Sequence, residues 1–235
     1  MGKLKVLLTG SSGYIGQNFI TLYGDKYDIV QVDRKINKSI HQITENDFDD
    51  IDHIVHLAAI SGISDCETDC DQTITDNVES MQYIWLLGEL KDIPVTFASS
   101  QAASNPTNIY AFTKRMGERS ISSLGKYTIL RFANVYGGID YLKSKTSVVA
   151  NFLNAKTNNL PLIINGDGFQ ERDFIHVNDI CYAINLSILN PCNDILDISN
   201  IADITKAKEI LNFTAKIKFK QYILDKIAFI NINRL

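Results

Sequence analysis

LKVLLTGSSGYIG, residues 4–16, is the stretch whose reading decides the fold. An apolar run over residues 4–8 breaks into glycines at Gly10, Gly13 and Gly16, and an amphipathic pattern opens at Tyr14. The succession predicts strand, tight turn and helix. Such a turn needs a sharp bend, a close backbone approach to a pyrophosphate and close packing of helix on strand, and each of these excludes a Cβ. The N–H groups at the helix start then face phosphate oxygens, with the helix dipole favouring negative charge there. Three glycines near a strand end also occur in plain loops, so the reading depends on what surrounds them.

What surrounds them is an alternation of strand and helix patterns, which predicts a parallel sheet with helices on both faces. Residues 28–33 (DIVQVD) read as a second strand, residues 40–43 as a short third, and residues 52–59 (DHIVHLAA) as a buried fourth with nearly continuous apolar character. The acidic stretch 44–52 between them reads as a solvated helix and loop. In residues 73–91 the apolar positions Val78, Met81, Ile84, Leu87 and Leu90 recur at three-residue steps, so a helix with one buried face is expected until Pro94 opens the next strand at 95–98. A helix over 109–123 and a strand over 127–132 follow. After Gly137 and Gly138 the pattern changes: a helix over 148–156, strands at 162–164 and 173–177, a helix over 179–189, a strand at 195–198, a short helix near 206–211, a strand at 216–219 and a final helix. The expected fold is therefore α/β, a Rossmann-type doubly wound parallel sheet with a small, reduced C-terminal substrate lobe. Residues 1–140, with 173–190 returning to them, form the dinucleotide-binding domain, and residues 141–172 and 191–235 the lobe.

The 235 residues carry 23 Lys and Arg against 27 Asp and Glu, and the net charge of -4 gives no global reason to expect a nucleic-acid or membrane partner. The apolar run at the N-terminus is too short for a signal peptide, position 6 is Val where myristoylation needs Ser or Thr, and no stretch is long enough to span a bilayer. A cytoplasmic protein is expected, with Cys66, Cys70, Cys181 and Cys192 as reduced thiols. A zinc site can be imagined from Cys66, Cys70, His53 and His56, but the spacing lacks a matching second pair, and incidental thiols on an acidic helix or loop are the preferred reading. No metal is expected.

Asp33 ends the second strand about twenty residues beyond the glycine turn, where a carboxylate accepts both ribose hydroxyls of an adenosine and repels a 2′-phosphate. That favours NAD over NADP, a preference weakened by the adjacent Arg34. Tyr110 and Lys114, four residues apart on one helix, can share a face. An ammonium beside a phenol stabilises the phenolate and lowers its pKa, as a general acid/base requires. Ser100, ending the preceding strand, can hydrogen-bond the same substrate oxygen. Alone, the pair also reads as a tyrosine packed under a snorkelling lysine.

TGSSGYIG, DHIVHLAA, Asn77 with Val78, FASS, YAFTK, LRFANVYG and GDGFQERDFIHVND occur in one order, and ADITKAKEILNF follows near the C-terminus. This set resembles the extended short-chain dehydrogenase/reductases, in particular the NAD-dependent epimerase/dehydratase family acting on nucleotide sugars. The resemblance implies that Gly10, Gly13, Tyr14, Ile15 and Gly16 cradle the NAD pyrophosphate, that Asp33 holds the adenosine ribose, that Leu57, Ala58 and Ala59 line the cofactor, and that Asn77 braces the active-site strand or the cofactor. It makes Ser100, Tyr110 and Lys114 the catalytic set, with Lys114 also bonding the nicotinamide ribose. Asn134 and Arg172 match positions that contact the sugar nucleotide, whereas His176 and Asp179 read as structural, a strand-end histidine and a helix N-cap. A homodimer through the helices near Met81 and Arg115 is implied as well.

Departures from the family pattern bear on function. Ser100 and Tyr110 stand close in sequence, and almost nothing separates Asn200 from Asp203, where relatives carry a long stretch that supplies a second arginine; Lys143 and Lys145 are the candidate replacements. The family's adenine-contacting Asp falls somewhere near residues 44–47. Gln101 and Ala102 replace the Asp-Glu pair of the dehydratases, which disfavours dehydration. The leading expectation is an NAD-dependent nucleotide-sugar epimerase resembling UDP-glucose 4-epimerase. A keto-sugar nucleotide reductase or dehydrogenase and a non-catalytic dinucleotide-binding regulator are the alternatives.

Overall fold

A computed structural model describes residues 2–36, 38–44, 50–139, 147–164 and 166–232. Its main sheet contains β1 (Lys5–Thr9), β2 (Asp28–Val32), β3 (His53–His56), β4 (Val95–Ser100), β5 (Tyr127–Phe132) and β8 (Ile195–Ile198), all parallel and in the order β2-β1-β3-β4-β5-β8. The chain runs from β1 out to β2 and then back across to β3. That reversal opens a crevice at the carboxyl ends of β1 and β3, where open α/β sheets take their ligands.

Period-2 alternation along the strands divides the core into two layers. Val6 and Leu8 of β1 join the layer containing Phe19, Ile180 and Ile184, under α1 (Tyr14–Tyr23) and α7 (Val177–Leu189). Leu7 points the other way, into a layer with Met81, Ile84, Phe97 and Ile121, under α4 (Ser80–Lys91) and α5 (Ile109–Ile121). The helices α2 (Ile63–Thr68) and α3 (Cys70–Ile74) lead through a π-helical turn, Thr75–Glu79, into α4, so the helix expected over 73–91 begins irregularly. Such a turn inside a helix often marks a functional place.

A smaller lobe is built from the parallel pair β6 (Asn134–Tyr136) and β7 (Phe174–His176), with α6 (Val148–Thr157) and α9 (Phe219–Ile232). Its centre is aromatic: the buried Tyr136 ring meets Phe174, His176, Phe219 and Tyr222 edge-on at centroid distances of 4.9–6.5 Å. Within the 191–235 stretch, β8 lies beside β5, and α8 (Thr205–Leu211) packs against it.

Three expected strands are absent. Residues Ile40–Gln42 form a 3₁₀ turn fastened by Ser39 N–H donating to Gln42 Oε1 at 3.0 Å, and Ile40 and Ile43 fill the core from there without extending the sheet beyond β2. Residues 162–164 have no strand beside them, and Leu162, Ile163 and Ile164 stand open along a cleft. Residues 216–219 bond to side chains where a strand would bond to a neighbour: Lys216 and Ile217 donate their N–H groups to the Asp179 carboxylate at 3.0 and 3.1 Å. Asp179 is thus not the N-cap of α7; His176 takes that place, its Nδ1 accepting from Asn178 N–H at 3.1 Å. The acidic stretch read as helix and loop lies partly outside the described residues, at positions 45–49. Among the described residues no helix is long and apolar enough to cross a membrane.

Asp179 is 3% exposed, so its truncation leaves two backbone N–H groups without a partner in a buried place. The Asp179→Ala variant is expected to lose about 1–3 kcal/mol of stability, read as a lowered urea midpoint with the native far-ultraviolet dichroism kept.

Candidate active site

The glycine turn sits in the crevice at the reversal of strand order. Gly10 has φ +68°, a left-handed conformation that side chains avoid, and a Cβ built on it would lie 2.7 Å from Ala58 N. Thr9 locks the same junction: its Oγ1 accepts from Ala58 N–H at 3.2 Å and lies 2.7 Å from His56 Nδ1. Because Thr9 Oγ1 already accepts, its own proton is free to go to a neutral imidazole, and burial lowers the His56 pKa to about 3. Gly13 caps α1 without offering a side chain to the first-turn N–H groups, and Ser11 Oγ beside it is buried without a hydrogen-bond partner. Ser12 N–H donates to Asp33 Oδ2 at 3.0 Å, so the carboxylate at the end of β2 stands at the rim of the turn. A cradle that a Cβ would fill, an orphaned hydroxyl and an acid at the ribose distance together fit a dinucleotide.

Tyr14 and Ile15 open α1 beside this cradle, and the Tyr14 hydroxyl donates to the Gly137 carbonyl, tying the cradle to the lobe. Leu57, Ala58 and Ala59 follow β3, partly buried; the Leu57–Ala58 backbone lies against Gly10, and Leu57 packs on the core. Asn77 braces them: its Oδ1 accepts from Ile60 N–H at 2.8 Å, while its Nδ2 donates to Ile60 O at 3.0 Å and to Thr113 Oγ1 at 3.1 Å. It therefore joins the loop after β3 to α5.

The residues expected to carry chemistry stand on β4 and α5. Helix and strand are pressed together, since a Cβ on Gly117 would fall 2.4 Å from Phe97 Cζ. Asn108 caps α5 by accepting from Ala111 N–H at 3.0 Å. Ser100 beside Tyr110 acts to lower the phenol's pKa, but burial outweighs it and Tyr110 is pushed up to about 12. Lys114 is 5% exposed, donates to Ala98 O at 2.7 Å and lies over the Phe97 ring; burial brings its pKa down to about 8. The ammonium is not among the groups that act on the phenol in this arrangement. The amino group is turned towards the carbonyl at the strand end, and both groups pay for leaving water.

Two helix positions beyond Lys114 carry weight that the motif reading missed. Glu118, one further turn along the face of Tyr110 and Lys114, takes Ser99 Oγ at 2.7 Å and both Arg131 Nε and Nη2 at 2.7 Å, with Arg115 Nη1 at 3.3 Å. The sequence signal was the i, i+4, i+8 run of Tyr110, Lys114 and Glu118 opposite an arginine in the next strand. Cys66 is the second: its buried thiol donates to Ile60 O at 3.5 Å and lies near enough to Tyr110 and Lys114 to bias both. Cys70 is exposed and donates to Glu67 O at 3.7 Å, and His53 Nε2 pairs with Thr96 Oγ1 at 2.8 Å, so the imagined zinc ligands are committed elsewhere. Among the described residues no group of three or more His, Cys, Asp and Glu could hold a metal.

On the lobe side, Asn134 Nδ2 donates to Asp173 O at 2.9 Å and Arg172 Nη1 to Glu171 O at 2.8 Å, both exposed. Arg172 lines a cleft of about 730 Å³ between α6, residues 162–174 and α9, with Phe152, Phe174 and Ile223 among its apolar walls. Asp173 accepts the N–H groups of Asn200, Ile201 and Ala202 at 2.9–3.2 Å, which closes the shortened connection after β8. Lys143 and Lys145 lie outside the described residues.

Glu118 is 2% exposed and its pKa is lowered by Arg131, Ser99 and Arg115 against the penalty of burial. A lowered carboxylate pKa contributes stability that is full above the unfolded value and lost as pH falls through the folded one. Removing the carboxylate leaves Arg131 uncompensated, so Glu118→Ala is expected to cost about 3–5 kcal/mol at neutral pH, with a smaller deficit in acid, by urea denaturation.

Three comparisons place this geometry among known proteins. The model of the NAD dependent epimerase/dehydratase family matches residues 6–202. A Methanocaldococcus jannaschii protein named "Putative UDP-glucose 4-epimerase" is 27% identical over 82% of this chain and 76% of its own. The UDP-N-acetylglucosamine 4-epimerase from Methanobrevibacter ruminantium M1, solved with UDP-N-acetylmuramic acid, superposes with a TM-score of 0.87 at 20% identity, covering 100% of both chains. MoeE5 in complex with UDP-glucose and NAD gives 0.85 at 21% identity, again covering 100% of both. The superpositions bear on the fold, and the match through 6–202 bears on descent: this chain belongs to the NAD dependent epimerase/dehydratase family, enzymes whose cofactor is NAD.

Proposed function

We propose that this enzyme is an epimerase of a nucleoside-diphosphate sugar, working in the manner of a UDP-glucose 4-epimerase. The observation that carries the reading is the placing of Ser100 at the carboxyl end of β4 beside Tyr110 on α5, with Lys114 one turn on, next to a crevice that fits a dinucleotide. In this reading Gly10, Gly13, Tyr14, Ile15 and Gly16 hold the pyrophosphate, Asp33 the adenosine ribose with Arg34 next to it, and Leu57, Ala58 and Ala59 the remaining wall, stiffened by Asn77. Bound NAD supplies a hydride acceptor that also gives the hydride back, so the sugar carbon is oxidised and then reduced on its other face.

The protein's own part is the proton and the geometry. Tyr110 takes the proton from the sugar hydroxyl, that at C4 in the usual case, and returns it after the keto sugar has turned. Ser100 donates to the developing carbonyl oxygen. Lys114 supplies positive charge to Tyr110 once its ammonium leaves Ala98 O for the nicotinamide ribose. Asn134 and Arg172 hold the nucleotide end, the rigid fork of Arg172 suiting a diphosphate. Fixing both reactants is worth several kcal/mol of barrier, so the shape of the lobe selects the sugar. We further place the protein in the cytoplasm, where its unpaired thiols suit a reducing medium. The division of labour we propose sets the sheet with β8 and α8 around the cofactor, and β6, β7, α6 and α9 around the substrate.

Assayed on UDP-, GDP-, dTDP- and CDP-sugars, the protein is expected to invert the sugar of at least one without consuming cofactor. Tyr110→Phe should lower that rate by roughly 10²–10⁴-fold while NAD binding persists. NAD binding with no inverted product from any of the four would defeat the epimerase reading, and net consumption of NADPH would turn it into a keto-sugar reductase.

A homodimer through α4 and α5 belongs to the same proposal. Leu86 and Leu90 on one helix and Phe112 and Met116 on the other are each spaced four apart and 43–60% exposed, so each pair presents one apolar stripe. Sedimentation should give twice the 26.4 kDa chain mass, and Phe112→Glu should shift it to the monomer. A wild-type monomer would refute the pairing.

A further inference from the structure

The crevice that admits NAD also contains an arginine that could welcome NADP, and the structure assigns the choice between them to Asp76. Arg34 follows Asp33 at the end of β2, the side of the crevice where the adenosine ribose of a dinucleotide lies. A guanidinium in that position, left free, offers a fork of donors to a 2′-phosphate. Here it is taken: Arg34 Nη1 lies 3.0 Å from Asp76 Oδ1 and 2.9 Å from Oδ2.

The mount of Asp76 makes the pairing selective. Its side chain is 13% exposed against 63% for Arg34, so the carboxylate is the fixed partner and the guanidinium the one that is drawn over. Asp76 sits in the π-helical turn Thr75–Glu79, its carbonyl accepts the Ser80 hydroxyl, and its neighbour Asn77 is bonded to Ile60 and Thr113. Among the described residues, the other charges at this rim are Asp33, whose Oδ1 accepts Lys35 N–H at 2.9 Å, and Lys35 and Lys38, the latter bridged to Asp33 through the backbone. An incoming 2′-phosphate meets the Asp33 carboxylate and finds the neighbouring guanidinium neutralised. NAD, with a plain ribose hydroxyl, loses nothing by either. Asp76 is thus a specificity-determining residue for the cofactor, acting through Arg34, and its assignment rests on the dinucleotide reading of the crevice.

The test is binding, measured by calorimetry on the full chain with NAD⁺ and NADP⁺ separately. Wild type should prefer NAD⁺. Asp76→Asn keeps the shape and removes the charge, and should lower the ratio of the NADP⁺ to the NAD⁺ Kd roughly tenfold, the return of one charge-assisted contact. Arg34→Ala should change that ratio less than about twofold in the wild type, where the guanidinium is already paired, but should erase the gain in the Asp76→Asn background. The gained NADP⁺ affinity should also weaken with added salt. An unchanged ratio in Asp76→Asn, repeated in Asp76→Ser, or a gain that survives Arg34→Ala, would overturn the assignment. A wild type that binds neither dinucleotide would instead overturn the reading of the crevice itself.

Discussion

At the carboxyl ends of β1 and β3 two backbones pass so close that no side chain fits between them. Gly10 turns through a positive φ against Ala58, and Thr9 fastens that approach through Ala58 N–H and the neutral His56 ring. Everything in the crevice is placed from this contact. It brings α1 to the phosphate side with its first turn uncapped, and it delivers residues 57–60 to the point where Asn77 can bond them to α5. A bulkier residue at position 10 would shift β3 against β1 and move α5 with it, so the glycine turn and α5 are one mechanical unit.

That unit pays an electrostatic cost at α5. Lys114 is buried under Phe97, and burial alone lowers its pKa; Glu118, two turns from Tyr110, works in the opposite direction and helps keep the ammonium charged. Glu118 in turn stays ionised because Arg131 reaches it from β5 and Ser99 from β4. The same network holds Ser99 in place next to Ser100. Charge and position are therefore settled together: the carboxylate that stabilises the lysine also fixes the register of the helix on the strand that carries the serine. Tyr110, on the same helix face, has its own pKa raised by burial.

The sheet was legible because parallel strands buried on both faces leave long apolar runs and because β4 and β5 pair with each other over their full length. Periodicity could not tell an apolar triplet that pairs from one that does not: residues 162–164 look like a strand and lie open, and Ile40 and Ile43 reach the core from a 3₁₀ turn. Motif order singled out the glycine turn and the set Ser100, Tyr110 and Lys114, since each occupies a place the fold repeats. It passed over Glu118, Asp76 and Asp173, whose meaning lies in contacts with residues 13, 42 and 27–29 positions away, and it did not reveal that Lys114 donates to Ala98 O, because side-chain direction on a helix face depends on which carbonyl lies nearest. Spacing gives a face; the partner on that face comes only from the packing.

Asp173 shows how the chain manages with so short a passage after β8. Its carboxylate gathers three successive N–H groups from residues 200–202, doing with one side chain what a longer segment does with its own backbone. The consequence falls on the substrate. This turn lines a small acidic hollow with Gln101, Asp197 and Asp203, a surface that repels a diphosphate. Among the described residues, the cation placed on the lobe's larger apolar cleft from the GDGFQERDF stretch is Arg172, with Lys156 across the same cleft on α6. A nucleotide lying in that cleft would have apolar walls for its base and Arg172 for its phosphates, with the acidic hollow turning the anionic end away from Gln101.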